Sequence, residues 1–227
     1  KPLEAAVVIG GPPALLMAAA SKVPYGVEEY GVAGALNGVP IPVVQAETCD
    51  VMVPAHAEIV LEGYVEPGEL RAEGPFGDHT GYYSPAEDYP VFHVTAITHR
   101  KDPIYPSAVV GRPPSEDLFM GVASGRLMLP ALQITLPEIV DVNMPAEGIF
   151  HNLLLVSIRK EYPGHARKVM YALWGIGLLM LSKVIIVVDH DVDIQNMSEV
   201  AWRVASNIDP KEDFLFVEGP LDDLDHA

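Results

Sequence analysis

Residues 73–83 read EGPFGDHTGYY, with two carboxylates on either side of a Gly-Pro-Phe-Gly link. Proline stiffens this link and glycine allows it to turn sharply, so Glu73 and Asp78 can face one pocket. In a dry pocket, burial raises the pKa of one carboxyl, which then donates protons near neutral pH, while a nearby cation keeps the other ionised. The alternative is a solvated loop whose acids only accept hydrogen bonds from backbone amides, and the residues leave it open.

The sequence on both sides of this loop is typical of β-strands. Runs that are rich in β-branched residues and bounded by proline or glycine predict strands over 41–47, 58–65, 91–100 and 104–110. Between them, residues 67–90 predict a long loop, and its aromatic side chains favour an ordered, functional loop over a disordered one.

The rest of the chain mixes helices and strands, which indicates α/β layers. The predicted elements are a strand over 5–9, helices over 13–20, 28–37 and 116–132, and then strand 149–158, helix 164–181, strand 183–189, helix 198–207 and strand 213–218. Residues 184–188 form a continuous apolar run, typical of a strand that is buried on both faces. The predicted fold class is α+β, with a β-rich section followed by an α/β section whose sheet is mainly buried.

Composition excludes several classes of protein. The chain has 14 Lys and Arg and a net charge of −17, so it lacks the basic clusters that neutralise nucleic-acid phosphates or bind an anionic membrane surface. Ser182 and Lys183 interrupt the most apolar stretch, 172–188, before it reaches the roughly 20 residues of a membrane span, so no span is predicted. A single cysteine, Cys49, excludes an internal disulfide framework and predicts a cytoplasmic protein.

Several other polar residues could have either a functional or a purely structural role. Glu28 and Glu29 open a predicted helix, where acids favour the helix dipole, and a metal site there would need further ligands close in space. His151 and His165 have no partner at a spacing typical of metal sites, so we expect them at the surface or at helix caps. Arg112 fits either a clamp for an anionic ligand or a structural ion pair.

Residues 73–85, EGPFGDHTGYYSP, resemble the signature of the UbiD family of reversible (de)carboxylases, which includes 3-polyprenyl-4-hydroxybenzoate decarboxylases. Four further blocks resemble the same family and extend the resemblance over essentially the whole chain: 53–63, 111–114, 136–141 and 162–166. Blocks of this length, in this order, are far more specific than a single glycine motif.

The resemblance implies a chain in three sections. Residues 1–40 would be the remnant of an α/β cofactor-binding region, 41–147 a flavin-binding split β-barrel, and 148–227 an α/β region that makes the contacts of a homodimer or higher homo-oligomer. Family members are usually much longer. Their upstream part supplies an Asn and a His for the metal and an Arg for the acid at Glu73, and their downstream part supplies a Lys near the flavin. We therefore expect a piece of a longer protein, with weak or no activity alone.

The resemblance also implies a cofactor. This is prenylated FMN, supplied by a flavin prenyltransferase and bound with Mn²⁺ or Mg²⁺, often with K⁺ at the flavin phosphate. Ala19, Ala20, Ser21 and Lys22 match the segment that lies along the flavin and its phosphate. Glu29 matches the glutamate that ligates the metal and helps to bind the cofactor, which favours its metal role over its helix-dipole role.

The implied reaction is reversible decarboxylation of an aromatic or α,β-unsaturated carboxylic acid through a covalent adduct with the flavin. Asp78 matches the acid that protonates the carbon left after CO2 departs, and Glu73 matches the acid that pairs with a catalytic arginine. His79 and Met120 match positions that line the substrate pocket. Two other functions stay open: a non-catalytic structural or partner subunit of a multi-chain carboxylase, and an FMN-binding split-barrel reductase.

Overall fold

The computed structural model describes residues 1–20, 26–222 and 224–225. The chain forms two compact units. The first consists of Lys1–Phe76 and Tyr83–Ala108, and the second of Gly77–Tyr82 and Val109–Ala227. The predicted division into cofactor-binding, barrel and dimerisation sections is a division by role, and it stays a prediction.

The first unit is built on antiparallel strands. Its elements in chain order are β1 (Leu3–Ile9), α1 (Pro13–Ala20), α2 (Glu29–Asn37), β2 (Val43–Gln45), β3 (Met52–Pro54), β4 (Ile59–Glu73) and β5 (Glu87–His99). Strands β1, β4 and β5 form one sheet in that order, and β2 pairs with β3 in a second. A split-barrel arrangement of these strands stays a prediction.

Strand β4 pairs with β5 through an irregular register. The register shifts between Glu62 and Gly63, where a β-bulge brings the two backbones together. A Cβ added to Gly63 would lie 1.9 Å from the carbonyl oxygen of His93, so this position requires glycine. Next to the bulge, the buried Glu62 carboxylate accepts hydrogen bonds from the backbone N–H and hydroxyl of Thr48.

Two small apolar clusters stabilise the first unit. One lies between the sheets and contains Ala46, Cys49, Val53, Ala57 and Val60. The other packs α1 against α2 through Ala18, Ala33 and Ile41. Helix α2 ends at Gly38, whose φ of 77° suits glycine in a left-handed cap.

The second unit is an α/β layer. Its elements are α3 (Glu116–Thr135), β6 (Ile139–Asn143), β7 (Leu153–Ile158), α4 (His165–Trp174), β8 (Val184–Asp189) and α5 (Met197–Asn207). Strand β7 is central, antiparallel to β6 and parallel to β8. Residues 154–158 of β7 are all buried, so the predicted buried sheet is confirmed there.

Four predicted elements were wrong in extent or type. The predicted loop 67–90 is shorter than expected, because β4 and β5 continue into it and leave a loop of 74–86. Residues 104–110 and 213–218 are not strands. The predicted helix 164–181 ends at Trp174 and is followed by a 3₁₀ segment, Gly177–Leu181.

The apolar run 184–188 differs from its predicted burial. It forms β8, which lies at an edge of the described three-stranded sheet, with Val184 half exposed. The strand buried on both faces is the neighbouring β7, whose sequence carries the same apolar signal over 153–156.

Helix α3 has the length and composition of a membrane span, with a mean hydropathy of 1.2 over its most apolar window and 17% of that window buried. A core helix of a soluble protein meets the same criteria, so a single such helix is weak evidence. Arg126 lies in the middle of α3 and forms an ion pair with Asp141 of β6. This contact indicates a helix packed on a sheet, and the absence of a membrane span stays a prediction.

We predict that Leu155→Ala lowers the free energy of unfolding by about 2–5 kcal/mol, because the Leu155 side chain in β7 is completely buried and its removal leaves a cavity. Ile134→Ala is the control, since Ile134 is 83% exposed and should change stability by less than about 0.5 kcal/mol. Urea unfolding of both variants checks this, and equal losses would contradict the burial of Leu155.

Candidate active site

Residues 77–82 form a closed turn in the second unit. The N–H of Asp78 donates to the carbonyl of Tyr82 at 3.0 Å, and the N–H of Gly81 donates to the carbonyl of Asp78 at 3.0 Å. Gly81 has a φ of 87°, and a Cβ added there would lie 2.8 Å from Cβ of Arg112. Glycine is therefore required on two grounds, the left-handed backbone and the contact with Arg112.

The turn places Asp78 against the next residue, His79. Asp78 is 5% exposed, and its Oδ1 lies 2.6 Å from Nδ1 of His79. Its Oδ2 accepts a hydrogen bond from the N–H of Thr80 at 3.3 Å. Burial raises the pKa of Asp78, but hydrogen bonds from Thr80 and His79 and the charge of His79 together hold it below its usual range. Asp78 is therefore ionised at neutral pH in these surroundings, and its role as proton donor stays a prediction.

His79 bridges Asp78 to a second histidine that is distant in sequence. Nε2 of His79 lies 2.7 Å from Nε2 of His151, and the two ring centroids are 4.9 Å apart. Nδ1 of His151 is buried and has no hydrogen-bond partner among the described residues. Burial lowers the pKa of His151, as does the positive charge of His79. His151 is thus part of a three-residue chain, and its predicted surface or capping role was wrong.

His151 follows two strained residues. Ile149 and Phe150 have φ values of 51° and 45°, a left-handed conformation that is rare outside glycine, above all for a β-branched side chain. The Phe150 ring packs beside His79, with centroids 5.5 Å apart. Strain of this kind persists only where the surrounding structure fixes it, and it often marks a functional site.

A cavity of about 130 Å³ opens beside the two histidines. It lies entirely within the second unit. Its lining includes Lys183 and Asp225, which form an ion pair. The other lining residues are His79, Thr80, Tyr82, Ile149, His151, Asn152, Asp222 and Leu224.

The remaining predicted catalytic and pocket residues lie elsewhere. Glu73 is the exposed last residue of β4, in the first unit, and is paired in register with Glu87 of β5. Met120 lies on α3, 41% exposed, and is not among the residues that line the cavity beside His79. Their assigned roles stay predictions.

Part of the predicted cofactor site is described. Ala19 and Ala20 are exposed in the last turn of α1, while Ser21 and Lys22 lie outside the described residues. Glu29 is the exposed first residue of α2. Within the described ranges, no group of three or more His, Cys, Asp or Glu could hold a metal ion, so Glu29 provides one ligand at most and does not complete a site.

His165, the other histidine expected at the surface or at a cap, is also in the interior. It is 4% exposed, and its Nε2 lies 3.0 Å from the carboxylate of Glu138, which also pairs with Lys168. Its Nδ1 accepts a hydrogen bond from the N–H of Glu161. Both ring nitrogens of His165 therefore have hydrogen-bond partners, in contrast to His151 with its unpartnered nitrogen.

The sequence models of two domains match almost the whole chain. Residues 1–113 match the 3-octaprenyl-4-hydroxybenzoate carboxy-lyase Rift-related domain of UbiD, and residues 118–227 match the C-terminal domain of the same enzyme family. The chain belongs to the UbiD family. The resemblance seen at residues 73–85 is therefore confirmed.

Relatives of this UbiD-family chain include uncharacterised proteins of two thermophiles. The protein of Archaeoglobus fulgidus is 54% identical over 226 residues, which cover 99% of this chain and 47% of that protein. The protein of Aquifex aeolicus is 52% identical over 228 residues, which cover 100% of this chain and 47% of that protein. The chain thus spans about half the length of these relatives.

Solved UbiD-class enzymes share the fold. A dimeric evolved form of HmfF from Pelotomaculum thermopropionicum, in complex with prenylated FMN, is 37% identical with a TM-score of 0.80, over 94% of this chain and 49% of that one. Vanillic acid decarboxylase from Sedimentibacter hydroxybenzoicus, in closed form, is 34% identical with a TM-score of 0.86, over 94% of this chain and 45% of that one. The mixed α/β fold is that of UbiD-class enzymes.

We predict that Gly81→Ala destabilises the second unit by more than about 1 kcal/mol, because alanine resists the φ of 87° and its Cβ meets Arg112. Gly77→Ala in the same turn is the matched control, since an added Cβ there meets nothing within 4 Å. Denaturant unfolding measures both. A loss of stability for Gly77→Ala as large as that for Gly81→Ala would show that the contact with Arg112 is not the cause.

Proposed function

We propose that the protein containing this chain is a prenylated-FMN-dependent decarboxylase of an aromatic or α,β-unsaturated carboxylic acid, acting reversibly. The observation that carries the proposal is the buried Asp78 carboxylate, held 2.6 Å from His79 inside the turn of the 73–83 signature. Relatives of the same fold support it, since one is a complex with prenylated FMN and another is a vanillic acid decarboxylase.

Cofactor binding is assigned to the first unit. The methyl side chains of Ala19 and Ala20 are exposed and leave the end of α1 open to a flat ring, and we assign Ser21 and Lys22 to the same segment. Glu29 would give one oxygen ligand to Mn²⁺ or Mg²⁺, with the remaining ligands, and any K⁺ site, outside the described residues. When bound, prenylated FMN supplies the electrophilic carbon that bonds the substrate and accepts the electrons released with CO2.

Asp78 is assigned to proton transfer at the substrate carbon. Loss of CO2 from a carboxylate leaves a carbon that must gain one proton, and a positioned carboxyl can deliver it. Because the pKa of Asp78 is lowered, its carboxylate must be protonated before each decarboxylation. In the carboxylation direction the same carboxylate accepts the proton that leaves the carbon, as microscopic reversibility requires.

Glu73 is assigned to an ion pair with an arginine supplied from outside this chain segment. Glu73 and Glu87 are directly opposite each other on β4 and β5, and like charges in that arrangement are unfavourable. A cation placed against them would remove the repulsion and fix the Glu73 carboxylate for the reaction. His79 and Met120 are assigned to the substrate pocket.

The assembly is proposed from the relatives. A homodimer or higher homo-oligomer fits the dimeric form of HmfF, and a flavin prenyltransferase is the expected supplier of the cofactor. The location in the cytoplasm, predicted from the single cysteine, belongs to the same proposal.

A second candidate function is a non-catalytic subunit. It is favoured by the lack of a complete metal-ligand cluster within the described residues and by the fact that the chain covers about half of its relatives. The intact mass of the native protein separates the two. A product of about twice this length supports the enzyme, and a separate subunit of this length supports the alternative.

We predict that Glu73→Gln and Asp78→Asn each lower CO2 release by at least about 100-fold, because Asp78→Asn removes the proposed proton donor and Glu73→Gln removes the carboxylate proposed to pair with an arginine. The measurement is turnover of the complete protein, produced with a flavin prenyltransferase, on a panel of unsaturated acids.

Glu87→Gln is the control for this experiment. It removes the like charge opposite Glu73 and keeps both assigned carboxylates, so turnover should stay within a few-fold of the wild type. The assignment of the acids would be wrong if either Glu73→Gln or Asp78→Asn kept near-normal turnover with cofactor bound.

A further inference from the structure

Asp78, His79 and His151 form a continuous hydrogen-bonded chain within the second unit. The two links are 2.6 Å from Asp78 Oδ1 to His79 Nδ1 and 2.7 Å from His79 Nε2 to His151 Nε2. The chain ends at Nδ1 of His151, which is buried and has no partner among the described residues. Both histidines line the cavity of about 130 Å³, so the chain runs from a buried carboxylate to a polar opening.

The relay takes both histidines as neutral at rest, and the hydrogen positions then follow from the two links. Ionised Asp78 only accepts, so Nδ1 of His79 carries the hydrogen of the first link. In neutral His79 the other nitrogen, Nε2, is then an acceptor, so Nε2 of His151 must carry the hydrogen of the second link. The remaining nitrogen, Nδ1 of His151, is left with a free lone pair that can take up a proton.

We propose that His151 is the entry point of a proton relay that recharges Asp78 through His79. The proposal rests on the role of Asp78 given under Proposed function. Nδ1 of His151 is buried at rest, so in this proposal solvent enters beside the ring from the cavity that His151 lines and delivers a proton to Nδ1. The hydrogen on Nε2 of His151 then moves to Nε2 of His79. The hydrogen on Nδ1 of His79 then moves to Oδ1 of Asp78. One proton enters, one carboxylate becomes a carboxylic acid, and both imidazoles end neutral.

The relay keeps every hydrogen bond intact. Before transfer, the hydrogens point from His151 to His79 and from His79 to Asp78. After transfer, Asp78 donates to Nδ1 of His79, and Nε2 of His79 donates to Nε2 of His151. Because neither link is broken during the transfer, the step avoids the cost of an unmade hydrogen bond. After Asp78 has given its proton to the carbon, both imidazoles must return to their starting tautomers before the next transfer.

The groups around the entry point suit a transient proton carrier. Asp222, Asp225 and Lys183 line the cavity with His151, and the two acids favour a positive charge on His151 while His79 opposes it. Burial adds to this opposition, so His151 rests neutral and passes a proton on instead of holding it. A structural histidine pair would be expected to use all its nitrogens, as buried His165 does through Glu138 and the N–H of Glu161.

The decisive variant is His151→Gln in the complete, cofactor-loaded protein. The glutamine amide can still donate to Nε2 of His79, which preserves the hydrogen bond, but it cannot take up and pass on a proton. We expect kcat for CO2 release to fall by about 10- to 100-fold with KM unchanged, as for loss of an acid–base group that does not touch substrate. Added imidazole should restore part of the rate in this variant and have no effect on the wild type.

The pH profile gives a second readout. The decarboxylation rate of the wild type should vary with pH through the titration of His151. In His151→Gln that dependence should be lost, and the rate should fall more steeply as the pH rises. His93→Gln is the matched control, because His93 forms a histidine–carboxylate contact of the same 2.6 Å length with Glu69, in the first unit. Its kcat and imidazole response should equal those of the wild type.

If the complete protein turns over none of the substrates, that result counts against the decarboxylase proposal and leaves the relay to be tested by an independent measurement. Nitrogen-15 spectra of the histidine rings in the complete protein should show hydrogen on Nδ1 of His79 and on Nε2 of His151, with Nδ1 of His151 bare. Asp78→Asn should change the His79 signals and, through the second link, those of His151. A wild-type rate in His151→Gln without imidazole, or a hydrogen resting on Nδ1 of neutral His151, would overturn the relay.

Discussion

The turn at residues 77–82 is the constraint on which the candidate site depends. It belongs to the second unit although the chain on either side belongs to the first, and it is closed by the hydrogen bond from Asp78 N–H to Tyr82 O. Gly81 fits against Arg112 only because it has no Cβ. With the backbone fixed in this way, both oxygens of Asp78 meet donors from the two residues that follow it. The charge state of the acid is therefore set locally, by the same turn that positions it.

Short-range signals predicted the type of most elements because those elements bury one face. The helices predicted over 13–20 and 28–37 are α1 and α2 within one residue, and the alternation toward the end of the chain is the α/β layer. These sequence patterns failed to predict elements whose side chains are exposed, because exposed positions need not alternate between apolar and polar residues. The outer half of the β4–β5 hairpin is largely exposed, so no apolar alternation marks it, and only the pairing of the two backbones reveals it. The strand predicted over 213–218 was wrong for the opposite reason. Phe214 and Phe216 are solvent-exposed, stack on each other and form no strand.

The candidate site was predictable only where it is local in sequence. Asp78 and His79 lie in the signature at 73–83, and the resemblance of that block to the UbiD family singled out both, whereas the spacing of the carboxylates alone left a solvated loop open. His151 lies 72 residues from His79 and is aimed by left-handed Ile149 and Phe150, a conformation that residue type argues against. Nothing in the local sequence could have found it. The direction of the pKa shift of Asp78 was not predictable either, because burial raises this pKa and the hydrogen bonds from Thr80 and His79 that lower it are visible only in the structure.

A lowered pKa in a proton donor is consistent with reversible chemistry. A carboxylate that rests ionised is ready to accept a proton in carboxylation, and it needs an imported proton in decarboxylation. For each unit by which the pKa of Asp78 lies below the ambient pH, protonating its carboxylate costs about 1.4 kcal/mol more free energy. Both links of the Asp78–His79–His151 chain are present before and after the proposed transfer, so this difference in proton affinity is a main cost of the transfer. Burial already acts against it, because desolvation raises the pKa of Asp78. A substrate that removes the remaining water raises that pKa further, so the acid becomes a better donor when there is a carbon to protonate.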